Sequence, residues 1–182
     1  SRVEEVARKL EDLLRELKRV SDESLKTLEK LMTDDERRVR ESLDKLRELA
    51  REIDEVVRRR KEDDEKLKRL LERVEEVVEK SNRDNRESLE RIRKVVEESI
   101  RKLEKLLERI RREVKKIEEE LGDEDALREV RRLLERAEEL VRELIKRNED
   151  VLREAKRTSD ELSERNRRLL ERIKETVDRK RK

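Results

Sequence analysis

The chain has 182 residues, with 55 Lys and Arg against 53 Asp and Glu, a net charge of +2, and 59% charged residues against 31% hydrophobic ones. It contains no Phe, Trp, Tyr, Cys, Pro, His or Gln and a single Gly, which excludes His- or Cys-based triads, zinc-thiolate sites, Gly-rich phosphate loops and aromatic stacking platforms. The two signs of charge are interleaved, as in Arg8-Lys9-Leu10-Glu11-Asp12, and no apolar run exceeds two residues, so neither a basic nucleic-acid face nor a bilayer span is expected.

The first element is read from apolar positions that step alternately by three and four: Val3, Val6, Leu10, Leu13, Leu17, Val20, then Ser24, Thr27 and Leu31. Neighbours such as Leu14, Leu28 and Met32 widen this stripe, and it continues at Val39, Leu43, Leu46, Ala50, Ile53 and Val57. Disordered chains of similar charge do not keep such a phase. Ser1 with Glu4 reads as a capping box, which places a first helix at roughly residues 2–60. Within it, Thr33-Asp34-Asp35-Glu36 admits two readings. The helix runs through, with Asp35 an anionic acceptor inside it, or Thr33 caps a new helix through a Thr-x-x-Glu box.

Arg58-Arg59-Arg60-Lys61 is followed at once by Glu62-Asp63-Asp64-Glu65. Cations favour a helix C-terminus and anions an N-terminus, so the sign change predicts a turn near 61–64. A continuous helix with a solvated charge run is the alternative. The second helix, roughly 63–121, carries the stripe Leu67, Leu71, Val74, Val78, then Ile92, Val95, Leu103, Leu106, Ile110, Val114, Ile117 and Leu121. Gly122 suits a left-handed C′ position, Asp123 suits an N-cap, and Glu124 and Asp125 meet the positive end of a third helix. That helix, roughly 124–181, carries Leu127, Val130, Leu134, Ala137, Val141, Leu144, Val151, Ala155, Leu162, Leu169, Ile173 and Val177. The expected fold is all-α: an up-down-up antiparallel three-helix bundle of long, coiled-coil-like helices of about 58 residues, one elongated domain over 1–182.

The polar residues on these stripes are the informative ones. Short loops let each helix be numbered by height along the bundle. Ser24, Ser99 and Asn148 then share one height, about 25 residues from the start. Ser42, Ser81, Asn82, Asn85, Ser88, Thr158, Ser159, Ser163 and Asn166 fall together at about 34–44 residues. Buried hydroxyls and amides are costly alone and tolerable when mutually bonded, so coincident layers predict interhelical polar networks that set register and pairing.

Seven absent amino acids, Leu/Val/Ile seams, Glu/Lys/Arg faces, the Gly122-Asp123 loop and the layered Ser, Thr and Asn residues resemble a computationally designed helical bundle with buried hydrogen-bond networks. Natural spectrin-type repeats have a similar architecture but usually carry aromatic residues, His and Gln. The resemblance implies a structural scaffold with no natural substrate. The alternative is an interaction module, one chain of a designed homo- or hetero-oligomer whose polar networks choose the partner. Roughly two apolar residues per heptad suffice for three helices to cover one another, so a monomer is expected. Pairs such as Leu144-Ile145 and Val151-Leu152 leave oligomers open. Carboxylate pairs such as Glu97-Glu98 beside Ser99 are read as solvated faces, and no catalytic, cofactor or metal site is expected, nor a nucleic-acid or membrane partner.

Overall fold

The computed structural model describes residues 2–59 and 64–181, which form α1 (Arg2–Arg58), α2 (Asp64–Glu120) and α3 (Glu124–Arg181). With no Pro and one Gly, nothing inside these segments opposes the helix preference of Leu, Glu, Lys and Arg. The three bounds fall within two residues of the expected ones at each described end. α1 runs unbroken through Thr33-Asp34-Asp35-Glu36, so Thr33 does not begin a new helix. The Ser1 cap and residues 60–63 of the first turn lie outside the described residues.

The turn between α2 and α3 is organised by Asp123. Its carboxylate accepts from the Asp125 amide at 3.1 Å, and its carbonyl accepts from the Leu127 amide at 3.0 Å, as an N-cap does. Gly122 corrects the expectation of a left-handed cap: its φ lies outside that region, and a Cβ there would meet nothing within 4 Å. The last turn of α2 holds no basic residue. Its acids pair with other helices instead, Glu118 with Arg131 at 3.2 Å and Glu120 with Arg2.

The chain divides into two compact units, residues 1–29 with 92–153, and residues 30–91 with 154–182. Each contains one stretch of every helix, with α2 running opposite to α1 and α3. In the first unit, Leu10, Leu13 and Leu17 of α1 pack with Leu103, Leu107, Ile110, Val114 and Ile117 of α2. Val130, Leu133, Ala137, Val141 and Leu144 of α3 complete that core. Each buried Leu or Ile removes enough apolar surface from water to contribute about 1.5–3 kcal/mol. Lys9 meets Glu113 at 3.1 Å and Arg111 meets Glu138 at 3.4 Å at its edges.

The second unit is less evenly built. α1 gives Leu46, Leu49 and Ile53, and α2 gives Leu67, Leu70, Val74 and Val78. From α3, Val177 is the fully buried member of that cluster, while Leu169, Leu170 and Ile173 are half-buried against it.

The buried stripe departs from a strict heptad. In α1 it passes through Leu17, Ser21, Ser24 and Leu28, whereas Val20 is half-buried and Thr27 is exposed, its hydroxyl bonded to the Glu23 carbonyl at 3.0 Å. In α2, Leu70, Val96 and Leu107 are buried where Leu71, Val95 and Leu106 were expected to lead. In α3 the buried positions are Ala126 and Leu133 rather than Leu127 and Leu134. Leu70, Ser81, Ile92, Leu103 and Val114, all buried, lie eleven residues apart. An eleven-residue repeat is 3.67 residues per turn, closer to a straight α-helix than a seven-residue one.

Candidate functional site

The polar side chains that interrupt the aliphatic stripes are the chemically distinctive part of the molecule. In the first unit, Ser24 of α1 and Asn148 of α3 are both buried, Asn148 completely. The Ser24 hydroxyl donates to Asn148 Oδ1 at 3.1 Å. Asn148 Nδ2 donates back to the Leu144 carbonyl one turn earlier, at 2.8 Å. The amide is therefore fixed at both ends, and α1 and α3 are joined at one height. Ser21 and Ser99 are buried in the same unit, and their hydroxyl oxygens have no hydrogen-bond partner among the described residues. Ser99 thus shares the unit with Ser24 and Asn148 without a bond to either.

The second unit holds two polar groups. In one, Asn166 of α3 donates from Nδ2 to Ser81 Oγ at 3.0 Å and to Asn82 Oδ1 at 3.2 Å, both on α2. In the other, the Ser88 hydroxyl on α2 donates to the Asp35 carboxylate on α1. Arg38, one turn after Asp35, donates from Nη2 to Asn85 Oδ1 at 3.1 Å and to Asp35 Oδ1 at 3.4 Å. Asp35 and Arg38 are each about a quarter exposed, at 28% and 26%, so the pair sits at the edge of the bundle rather than in its centre. Arg38 Nη1 and Asn85 Nδ2 are buried without a partner among the described residues.

Asp35 lies on α1 near a stripe position where an apolar residue is due, and Arg38 is not among the expected polar positions. It stands three residues after Asp35, the spacing at which two helical side chains meet. Ser42, Ser159 and Ser163 are partly buried, and Thr158 is exposed. Thr158 falls at the right height but on the outer face, because height fixes position along a helix and not direction around it.

The surface is a lattice of short-range ion pairs. Arg19 bonds Glu16 and Glu23, and Arg167 bonds Glu164 and Glu171. The hydrogen bond from Arg19 holds the Glu16 carboxyl below its ordinary value, and that from Arg167 does the same for Glu164. Among the described residues, no three acidic side chains converge as a metal site, and no helix is long and apolar enough to cross a membrane.

No protein-family model matches the sequence, and comparison with curated proteins gives no match. Among solved structures, the chain is similar to one described as a computationally designed three helix bundle. The two share 20% identity over 98% of this chain and 88% of the other, with a TM-score of 0.33.

Proposed function

We propose that the chain is a designed helical scaffold without enzymatic activity, in which buried polar contacts select which helix faces pair and in what register. The observation that carries this reading is the pairing of polar with polar across helices, Ser24 with Asn148 and Asn166 with Ser81 and Asn82, inside stripes otherwise filled by Leu, Val, Ile and Ala. An apolar stripe alone tolerates sliding, because one Leu packs about as well as the next. A buried amide that slides by one turn loses its partner and incurs about 1–3 kcal/mol for an unsatisfied polar group. The residue alphabet supports the same reading, since it omits every aromatic residue, His and Cys. On this account Asn85→Leu, which takes from Arg38 its acceptor on α2, lowers stability in denaturant by about 1 kcal/mol and loosens the pairing of α1 and α2, read as exchange broadening of amide resonances around residues 81–88. Unchanged resonances would contradict it.

A second reading, an interaction module within a larger assembly, is favoured by one observation: the second unit leaves part of its apolar side uncovered between α1 and α3. At low concentration the scaffold reading expects a species of 22.3 kDa.

A further inference from the structure

The open side of the second unit is a groove of about 1000 Å³ between α1 and α3. Its floor is apolar, with Leu43 and Ala50 from α1 and Leu169 and Ile173 from α3, all half-buried.

The charge along the α3 rim is ordered. The charged α3 residues that line the groove are Asp160, Glu161 and Glu164, then Arg165, Arg168 and Arg172, and of these Asp160, Glu164, Arg168 and Arg172 stand at successive four-residue steps. That spacing places them in one row along the helix, two acids followed by two bases. Such a row is complementary to itself when reversed. The α1 rim adds one residue of each sign, Arg47 and Asp54, so it does not override this order.

We propose that the groove docks a second copy of this chain, with the two α3 segments antiparallel about a two-fold axis. In that arrangement Asp160 faces the partner's Arg172 and Glu164 faces the partner's Arg168. Each α3 covers the other copy's Leu169 and Ile173. An isologous contact of this kind closes on itself and gives a dimer rather than a filament. Within one chain Glu164 pairs with Arg167 and, at 3.4 Å, with Arg168, but the two guanidinium side chains are mostly exposed and the carboxylate is 42% exposed. Exposed pairs exchange partners at little cost. The groove runs along α3 from Asp160 to Thr176, about 24 Å at 1.5 Å per residue. With a width of about 20 Å, each copy would bury about 480 Å², at the low end for specific contacts. The dimer is therefore weak and forms at high concentration. It goes beyond the scaffold reading, which stands whether or not the groove is filled.

Sedimentation equilibrium at low salt tests it. The mass of the unaltered chain is expected to rise from 22.3 kDa toward twice that value as concentration approaches about 1 mM, the weak end of measurable affinity. Asp160→Arg with Glu164→Arg makes the row all basic, and Arg168→Glu with Arg172→Glu makes it all acidic. Each double variant alone is expected to remain at the single-chain mass, and an equimolar mixture of the two is expected to associate. Circular dichroism of each variant confirms that its helices persist. If the unaltered chain stays at single-chain mass throughout, the groove is not a self-docking surface and is left for a helix of another protein. If either double variant self-associates as strongly as the unaltered chain, or the mixture fails to associate, the charge row does not direct docking.

Discussion

The Ser24 hydroxyl reaches across from α1 to Asn148 Oδ1 of α3 at 3.1 Å, linking residues 124 positions apart in sequence. The bond sits in a stretch where Leu17, Leu28, Val141 and Leu144 are buried around it. It is satisfied on both sides, since Asn148 also holds the Leu144 carbonyl. Removing one partner leaves the other buried and unpaired, whereas replacing both by apolar groups removes the polar demand altogether. Ser24→Ala should leave Asn148 short of a donor and cost about 0.5–1.5 kcal/mol. Ser24→Ala with Asn148→Leu should match or exceed the unaltered stability. Urea denaturation of the two single variants and the double gives the coupling, and strict additivity would show that the two side chains do not act as a pair.

Asp35 should behave differently, because it accepts from both Ser88 and Arg38. Asp35→Ala strands a buried hydroxyl and a half-buried guanidinium, and should cost about 1–2 kcal/mol. Asp35→Asn keeps one acceptor oxygen and should cost less. Equal losses for the two variants in chemical denaturation would mean that the carboxylate position is not used as an acceptor.

Gly122 stands in a turn that does not use its conformational freedom. Gly122→Ala finds open space and a backbone that any residue adopts. It should raise stability by about 0.4–1 kcal/mol, chiefly by restricting the unfolded chain. A fall in the urea midpoint would show that the turn does require glycine.

Glu16 and Glu164 carry carboxyls held below their ordinary range by Arg19 and Arg167. A depressed pKa in the folded state adds stability above the unfolded value, and that stability is lost as pH falls through the folded value. Both side chains are solvent-accessible, so the effect is small and screened by salt. Glu16→Gln with Glu164→Gln should flatten the loss of stability between neutral pH and acid. An unchanged slope in denaturant titrations across that range would remove these pairs from the acid response.

The fold was legible because periodic apolar positions, one Gly-Asp pair and one sign change of charge are strong signals in a chain with so few residue types. The buried face was read less well, for a geometric reason. A heptad steps 3.5 residues per turn and an α-helix 3.6, so a seven-residue count drifts around the helix by about 20° each repeat. Where two apolar residues are adjacent, as at Leu70-Leu71, Val95-Val96 and Leu133-Leu134, that drift decides which is buried, and the seven-residue count picked the outer one. The same drift placed Thr27 inward, although it is exposed. Shared height brought Ser24 to Asn148 and Ser81 to Asn166, but it carries no angular information, so Thr158 was grouped with residues on another face. Arg38 is not legible in the sequence, because a cation near a stripe looks solvated and its acceptors on two helices, Asp35 and Asn85, come together only in the fold.

The central claim is that buried polar contacts, rather than aliphatic packing alone, fix helix register. The chain contains no Cys, so spin labels attach only where one is introduced. Lys26→Cys on α1 and Lys146→Cys on α3 are exposed positions flanking Ser24 and Asn148 in the first unit. The distance distribution between these labels, measured by pulsed electron–electron resonance, should be a single narrow peak. Adding Ser24→Ala and Asn148→Leu should preserve stability while broadening that peak or adding a second one displaced by about 5.4 Å, one helical turn. A distribution that stays single and equally narrow without these two polar side chains would contradict the account.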